Sequence, residues 1–317
     1  MQRAKPSTIF LLLMSLSAAF GVGCGDSSSA GPAGKQPAGD APAGKLTVVC
    51  TTTMIKDLAD QIAGDLAEVK GIMKTGEDPH IYEMRPRDTQ AIKSADLVLM
   101  NGLHLEAQID HVVEQHASGK VVRLAEDPRI KPRGSEQFQG APDPHCWFNI
   151  QYFKVYAQNA RDALSELDTT NARSYRDRTD AYMAQLDELE AWVKEQLVAV
   201  PRDQRILVTS HDAFGYFGDA YGVEVYAVIG MSTEAIPTGR DKIRLEALVR
   251  QRRAKAVFVE TSVSQALNDM VRQIAAATGA KVGGTLYSDS LGAPESEAGT
   301  YVGMIRHNVR TLVEALK

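Results

Sequence analysis

Cysteine is scarce in this sequence: Cys24, Cys50 and Cys146 are the only three in 317 residues. Three thiols cannot staple a small fold, and there is no Cys-x-x-Cys pair. A disulfide framework, a thiolate zinc finger and a dithiol redox motif are therefore disfavoured together. Positive charge is also in short supply. With 35 Lys+Arg against 40 Asp+Glu the formal charge is -5, so the concentrated basic surface that nucleic acid requires is not expected. Long apolar runs are missing too. Beyond the first two dozen residues no segment approaches 18 uninterrupted apolar residues, so nothing further along should span a bilayer. What is present is the composition of a globular protein, 44% hydrophobic and 24% charged, in a chain long enough for roughly two domains. Its polar chemistry must come from His, Asp and Glu.

The first residues read as an address. Arg3 and Lys5 precede the apolar run Ile9-Phe10-Leu11-Leu12-Leu13-Met14, a pattern too short to cross a membrane and suited to a signal peptide over residues 1–23. Gly21-Val22-Gly23-Cys24 resembles a bacterial lipoprotein cleavage site, although Gly21 stands where Leu is usual. The resemblance implies lipid attachment at Cys24, and several acyl chains hold a protein at a membrane far better than one. Residues 24–44 are rich in Ser, Gly, Ala and Pro, cannot bury a core and read as a flexible tether.

The remainder reads as α/β. Lys45 to Cys50 is a strand, Thr51-Thr52-Thr53 a polar loop, and Met54 to Ala63 a helix closed by Gly64. Strands follow at Glu68–Met73 and Ala95–Met100. The same order returns later: strand Arg205–Thr209, loop Ser210-His211-Asp212, helix Ala213–Tyr221, Gly222, strand Val223–Ile229. Ala254–Val259 and Lys281–Tyr287 are two more strands. Strands alternating with helices imply mostly parallel sheets. Between the halves, Tyr175, Tyr182, Leu186, Leu189, Val193 and Leu197 recur at helical spacing until Pro201. A helix of about 28 residues would span about 42 Å, a stiff spine that limits hinge motion. The expected domains are 45–168, a linking helix over 169–200, and 201–317.

In open parallel sheets ligands gather at the carboxyl ends of strands. Four residues stand out there. His80 and His145 each close an Asp-Pro-His tripeptide, whose proline stiffens the loop that presents the imidazole. His211 directly follows a strand, and Asp289 follows a late one. Neutral imidazole binds zinc and other first-row metals, and a carboxylate adds a hard anionic ligand. Taken singly, each histidine is more often a solvated or hydrogen-bonded loop residue than a ligand.

Longer motifs carry a resemblance. Gly76-Glu77-Asp78-Pro79-His80, Asn101-Gly102-Leu103-His104-Leu105-Glu106, Asp143-Pro144-His145 and Thr209-Ser210-His211-Asp212-Ala213-Phe214-Gly215 occur in order. Leu286-Tyr287-Ser288-Asp289-Ser290 and Tyr301 to Asn308 complete the set. Over residues 45–317 the chain resembles the zinc/manganese-binding proteins of bacterial ABC importers. The resemblance implies two Rossmann-like lobes, a rigid linking helix and one buried metal held by His80, His145, His211 and Asp289. Many manganese members have Glu where this chain has His211. Many zinc members have His where it has Asp289, and a His-rich loop where residues 114–141 hold only His116.

The function expected is therefore an extracytoplasmic, lipid-anchored monomer that captures Zn²⁺ or Mn²⁺ and delivers it to an ABC permease with its ATPase. Three imidazoles lean toward zinc. Glu260, ending a strand, is expected to hydrogen-bond a ligand, and Asp212 either to orient its neighbours or to cap a helix. His104 is expected to be structural and His111, His116 and His307 not to be ligands. Cys50 is expected buried and free, with a Cys50–Cys146 pair as the alternative, and Cys146 is expected in a packing role. A zinc-dependent hydrolase is the rival from another class; it would need an open coordination position and a general base, and no His-Glu-x-x-His helix is present. A metal-binding surface adhesin is a third reading.

Overall fold

The computed structural model describes residues 44–135 and 140–317. The expected signal peptide, Cys24 and the expected tether up to Ala43 lie outside the described residues. Residues 44–317 form one compact unit. Its fold is α/β, with two lobes of parallel strands.

In the first lobe, β1 (Leu46–Cys50), β2 (Ala67–Gly71), β3 (Leu97–Met100) and β4 (Lys120–Arg123) pair in parallel in the order β2-β1-β3-β4. Helices α1 (Thr53–Ala63), α2 (Pro86–Ser94) and α3 (Ala107–His116) connect them. Thr52 starts α1 by accepting from the Ile55 amide, as an N-cap does. A short antiparallel hairpin, β5 (Gly134–Ser135) with β6 (Ala141–Pro142), precedes α4 (Ile150–Leu167).

The long helix α5 (Ala172–Leu197) has 26 residues, about 39 Å of axis. It starts later than its sequence pattern suggests, because Asp168 holds the Asn171 amide and the Tyr175 hydroxyl in a turn ahead of it. The predicted apolar positions Tyr175, Tyr182, Leu186, Leu189, Val193 and Leu197 all lie on its buried face.

The second lobe holds β7 (Ile206–Thr209) paired with β8 (Glu224–Ala227), and β9 (Ala256–Glu260) paired with β10 (Lys281–Leu286), both in parallel. β7 lies beside β9, so the two ladders run in the order β8-β7-β9-β10. This repeats the first lobe's order. Helices α6 (Gly215–Tyr221), α7 (Gly239–Arg252) and α8 (Gln265–Thr278) connect these strands, and α9 (Tyr301–Leu316) closes the chain. Gly222 ends α6 at φ 67°, a left-handed turn that glycine takes without Cβ strain.

Some boundaries differ from the sequence pattern. β2 and β8 are shorter than expected, yet their flanking residues still bond along the sheet: Ile72 N donates to Cys50 O and Val228 N to Thr209 O. α6 begins at Gly215, not Ala213. Phe214 holds the N-cap position without a side-chain cap, so Asp212 does not cap this helix; its amide donates to the Gly230 carbonyl.

Helix α5 packs on α1 and α4 of the first lobe and on α9 of the second. One apolar core runs through both lobes and includes Phe153, Leu189, Tyr301 and Leu312. Phe153 and Tyr301 stack with ring centroids 3.6 Å apart. The Tyr301 hydroxyl donates to the Trp147 carbonyl at 2.6 Å, and Trp147 Nε1 donates to Ser288 O at 3.2 Å. A close-packed interior of this kind resists large relative motion. Among the described residues no helix is long and apolar enough to cross a membrane.

Candidate metal centre

The loops that follow the parallel strands converge between the lobes. His80 sits in the loop after β2, and His145 just before the turn Cys146–Phe148 that leads into α4. His211 follows β7 and Asp289 follows β10. Each offers one donor atom, and these atoms all lie within 4.8 Å of one another. His80 Nε2 is 3.3 Å from His145 Nε2. His145 Nε2 is 3.5 Å from Asp289 Oδ1, and His211 Nε2 is 3.1 Å from Asp289 Oδ2. Donors on a tetrahedral zinc are about 3.3 Å apart, so these spacings fit a shell around a single ion. His145 and His211 are completely buried, Asp289 is 1% exposed and His80 6%.

Carboxylates behind two of the rings set their chemistry. Asp143 Oδ1 accepts from the His145 amide at 3.0 Å and from its Nδ1 at 2.8 Å. That places the proton on Nδ1 and the lone pair on Nε2, facing Asp289. Glu260 does the same work from the end of β9. Its Oε1 accepts from the Ser210 and His211 amides at 2.8 and 2.9 Å, and its Oε2 lies 2.7 Å from His211 Nδ1. This last contact is close but poorly aligned as a hydrogen bond. Both oxygens of Asp289 and Nε2 of His211 lack any hydrogen-bond partner. A buried carboxylate without a donor costs several kcal/mol, on the order of what a bound cation would return.

The pKa directions express the same arrangement. Burial holds His80 down at about 3, helped by the other two imidazoles and opposed by Asp289, so its ring is neutral and ready to bind. Burial also disfavours a charged His211, but the Glu260 and Asp289 carboxylates on either side outweigh it and raise its pKa well above the usual range. Burial alone would raise Asp289; the neighbouring imidazoles, His211 foremost, reverse that and lower it. A proton on His211 thus takes the charge-balancing role that suits a metal.

The first lobe uses a buried carboxylate differently. Glu106 accepts from Thr51 Oγ1 and from the Asn101 and Gly102 amides at 2.7, 2.8 and 3.2 Å. The turn it holds runs through three positive φ values, Gly102 83°, Leu103 53° and His104 62°. Asn101 Nδ2 then donates to Pro144 O at 3.0 Å, and Tyr156 donates to Asn101 Oδ1 at 2.6 Å. This chain of bonds fixes the loop that presents His145.

Other sequence candidates fall elsewhere. Asp212 makes no side-chain hydrogen bond among the described residues; burial and nearby Asp143 raise its pKa, and the orienting work belongs to Glu260 and Asp143. Asp143 was not singled out for this role in the sequence, although its position two residues before His145 was the available signal. His104, His111 and His116 are exposed, and His307 contacts the Thr285 carbonyl. Cys50 and Cys146 are buried and free. The Cys146 thiol points to the Asp143 carbonyl at 3.8 Å, and burial pushes its pKa up to about 12.

A family model described as "Zinc-uptake complex component A periplasmic" (ZnuA) matches residues 48–315. The chain belongs to the ZnuA family. Among characterised members, the chain is 37% identical over 276 residues to the zinc-binding protein TroA of Treponema pallidum, covering 86% of this chain and 89% of that protein. It is 36% identical over 302 residues to the manganese-binding lipoprotein MntA of Bacillus subtilis, covering 93% and 94%. It is 34% identical over 275 residues to the iron-binding protein YfeA of Yersinia pestis, covering 85% and 86%. The solved structure of the periplasmic zinc-binding protein TroA superposes with a TM-score of 0.82, covering 86% of this chain and 99% of that chain. The ZnuA-family fold is thus the two-lobed one described above.

Replacing Asp143 with Asn keeps the shape behind His145 but removes the charge. It should weaken metal binding about 10- to 100-fold in an isothermal titration, with the far-UV dichroism unchanged. Affinity equal to wild type would remove Asp143 from the site's support.

Proposed function

We propose that this chain is the extracytoplasmic metal-binding component of an ABC importer. It captures Zn²⁺ or Mn²⁺ at His80, His145, His211 and Asp289 between its lobes and hands the ion to a membrane permease powered by its ATPase. The observation that carries the reading is the buried cluster itself: imidazole lone pairs and a partnerless carboxylate turned toward one point. Membership of the ZnuA family supports it. The relatives are named for zinc, manganese and iron at similar identity, so sequence likeness does not rank the metals. The donor set does. Three imidazoles and one carboxylate are a donor set that favours zinc. Asp289 has both oxygens available, which leaves a second oxygen for a metal that prefers more ligands, as manganese does.

The reading is of a carrier, not a catalyst. Four protein donors fill a tetrahedral zinc and leave no position for the water that a hydrolytic metal must activate. The protein works as a monomer, exported by residues 1–23 and anchored to the membrane through lipid at Cys24. Residues 24–44 then give the folded body reach toward a permease in the same membrane. The domain limits we propose are 45–168, 169–200 and 201–317, with α5 inside the middle segment as the element that joins the lobes.

Three measurements check this. His211→Ala should abolish tight one-to-one binding of Zn²⁺ and Mn²⁺ in a competitive titration; unchanged affinity would sink the four-donor site. The sign of the pH dependence follows from His211, whose raised pKa means the metal-free site carries a proton that the ion must displace. Affinity should therefore rise with pH, by about tenfold per unit for one displaced proton, and fall in acid. A titration repeated in buffers of different ionisation enthalpy reads that proton directly; no proton release would contradict the assignment. Mass spectrometry of the membrane-extracted protein should find Cys24 as an acylated amino terminus, and a free thiol there would refute the anchor.

A further inference from the structure

The two Asp-Pro-His tripeptides are chemically alike but are used differently. In the second, Asp143 spends both of its contacts on His145, one on the amide and one on the ring. In the first, Asp78 Oδ1 accepts from the His80 amide at 2.9 Å, but Oδ2 turns away from the ring and accepts from Thr233 Oγ1 at 2.6 Å. Thr233 belongs to the other lobe, in the loop between β8 and α7. One carboxylate therefore carries a candidate ligand's backbone and a contact between lobes. Among the described residues no carboxylate supports the His80 ring as Asp143 supports that of His145. The placement of His80 depends on where its loop is held.

That loop forms part of the mouth of the site. His80 is the most exposed of the four donors, and it lines a cleft of about 270 Å³ together with His104, Pro144, Met231, Ser232 and Glu234. Met231, Ser232 and Glu234 flank Thr233 on the opposite wall. The Thr233–Asp78 hydrogen bond ties that wall to the His80 loop. Elsewhere the lobes meet through an extensive buried core, which has little freedom to move. The half-buried His80 loop has more freedom than that core: it is tied across by Thr75 Oγ1 to Gly292 O at 3.3 Å and Gly76 N to Ser290 Oγ at 2.8 Å, and nearest the donor by the Thr233–Asp78 bond.

We propose that Thr233 is a positioning residue, and that its hydrogen bond to Asp78 is a latch that governs how fast the bound ion leaves past His80. The proposal rests on the metal-carrier reading and adds to it the element that retains the ion. A hydrogen bond to a carboxylate accounts for roughly tenfold in a rate when it is broken first. The latch needs the hydroxyl and not the methyl of threonine, so serine should replace it and valine should not.

The test loads the protein with Zn²⁺ and measures release into excess chelator by stopped flow, at chelator concentrations where the rate no longer changes. Thr233→Val should release the ion about tenfold faster than wild type. Thr233→Ser should restore the wild-type rate, and the metal-free far-UV dichroism of all three proteins should coincide. A Thr233→Val release rate equal to wild type, or a rise that Thr233→Ser does not reverse, overturns the latch. Failure of the wild-type protein to bind Zn²⁺ stoichiometrically overturns the carrier reading instead, and is seen before any release is measured.

Discussion

A carboxylate and imidazole lone pairs aimed at one another in a dry interior repel unless a positive charge joins them. The rest of this protein is arranged around that constraint. Asp289 has only histidines as charged partners among the described residues, and its two oxygens have no hydrogen-bond donor. Water could satisfy such groups at a surface, but His145 and His211 are completely buried. Holding this arrangement needs rigid support. The stiff α5, the core shared by both lobes and the Trp147–Ser288 and Tyr301–Trp147 hydrogen bonds supply it.

The lobes share a strand order but divide the labour of their buried acids. At the end of β9, Glu260 gathers the amides of the His211 loop and backs the ring itself. In the first lobe, Glu106 gathers the equivalent amides after β3 and touches no donor of the cluster. Its influence reaches His145 only through Asn101 and the Pro144 carbonyl. Burial lifts Glu106 up to about 7 despite three hydrogen bonds, so this acid costs something to keep and pins a turn that would otherwise be strained. The same topology thus holds one imidazole directly and another at one remove.

Much of this was legible in the residues. Strands of Val, Leu and Ile followed by short polar loops marked the sheet ends, and the spacing Tyr175–Tyr182–Leu186–Leu189–Val193 marked the buried face of α5. His80, His145, His211 and Asp289 could be named because proline loops and strand ends place side chains where parallel sheets bind ligands. Glu260 was legible for the same reason, as an acid at a strand end. Asp212 was misleading: its neighbour in sequence is a donor of the cluster, but its own amide bonds Gly230 and its carboxylate makes no hydrogen bond among the described residues. Asp143 was missed because the same tripeptide spelling at Asp78 serves another purpose. Only contacts distant in sequence distinguish the two.

The sequence by itself determined the local facts: where several of the strands and the long helix lie, which loops are stiffened by proline, and which residues can bind a metal. Local spacing and side-chain chemistry suffice for these. Tertiary structure alone decided which donors meet, which ring nitrogen carries a proton and which acid stands behind the His145 and His211 rings. It also decided that Asp78 reaches across to Thr233. These depend on distances between residues far apart in the chain. Such distances are set by how the two lobes pack around α5, and no local pattern encodes that packing.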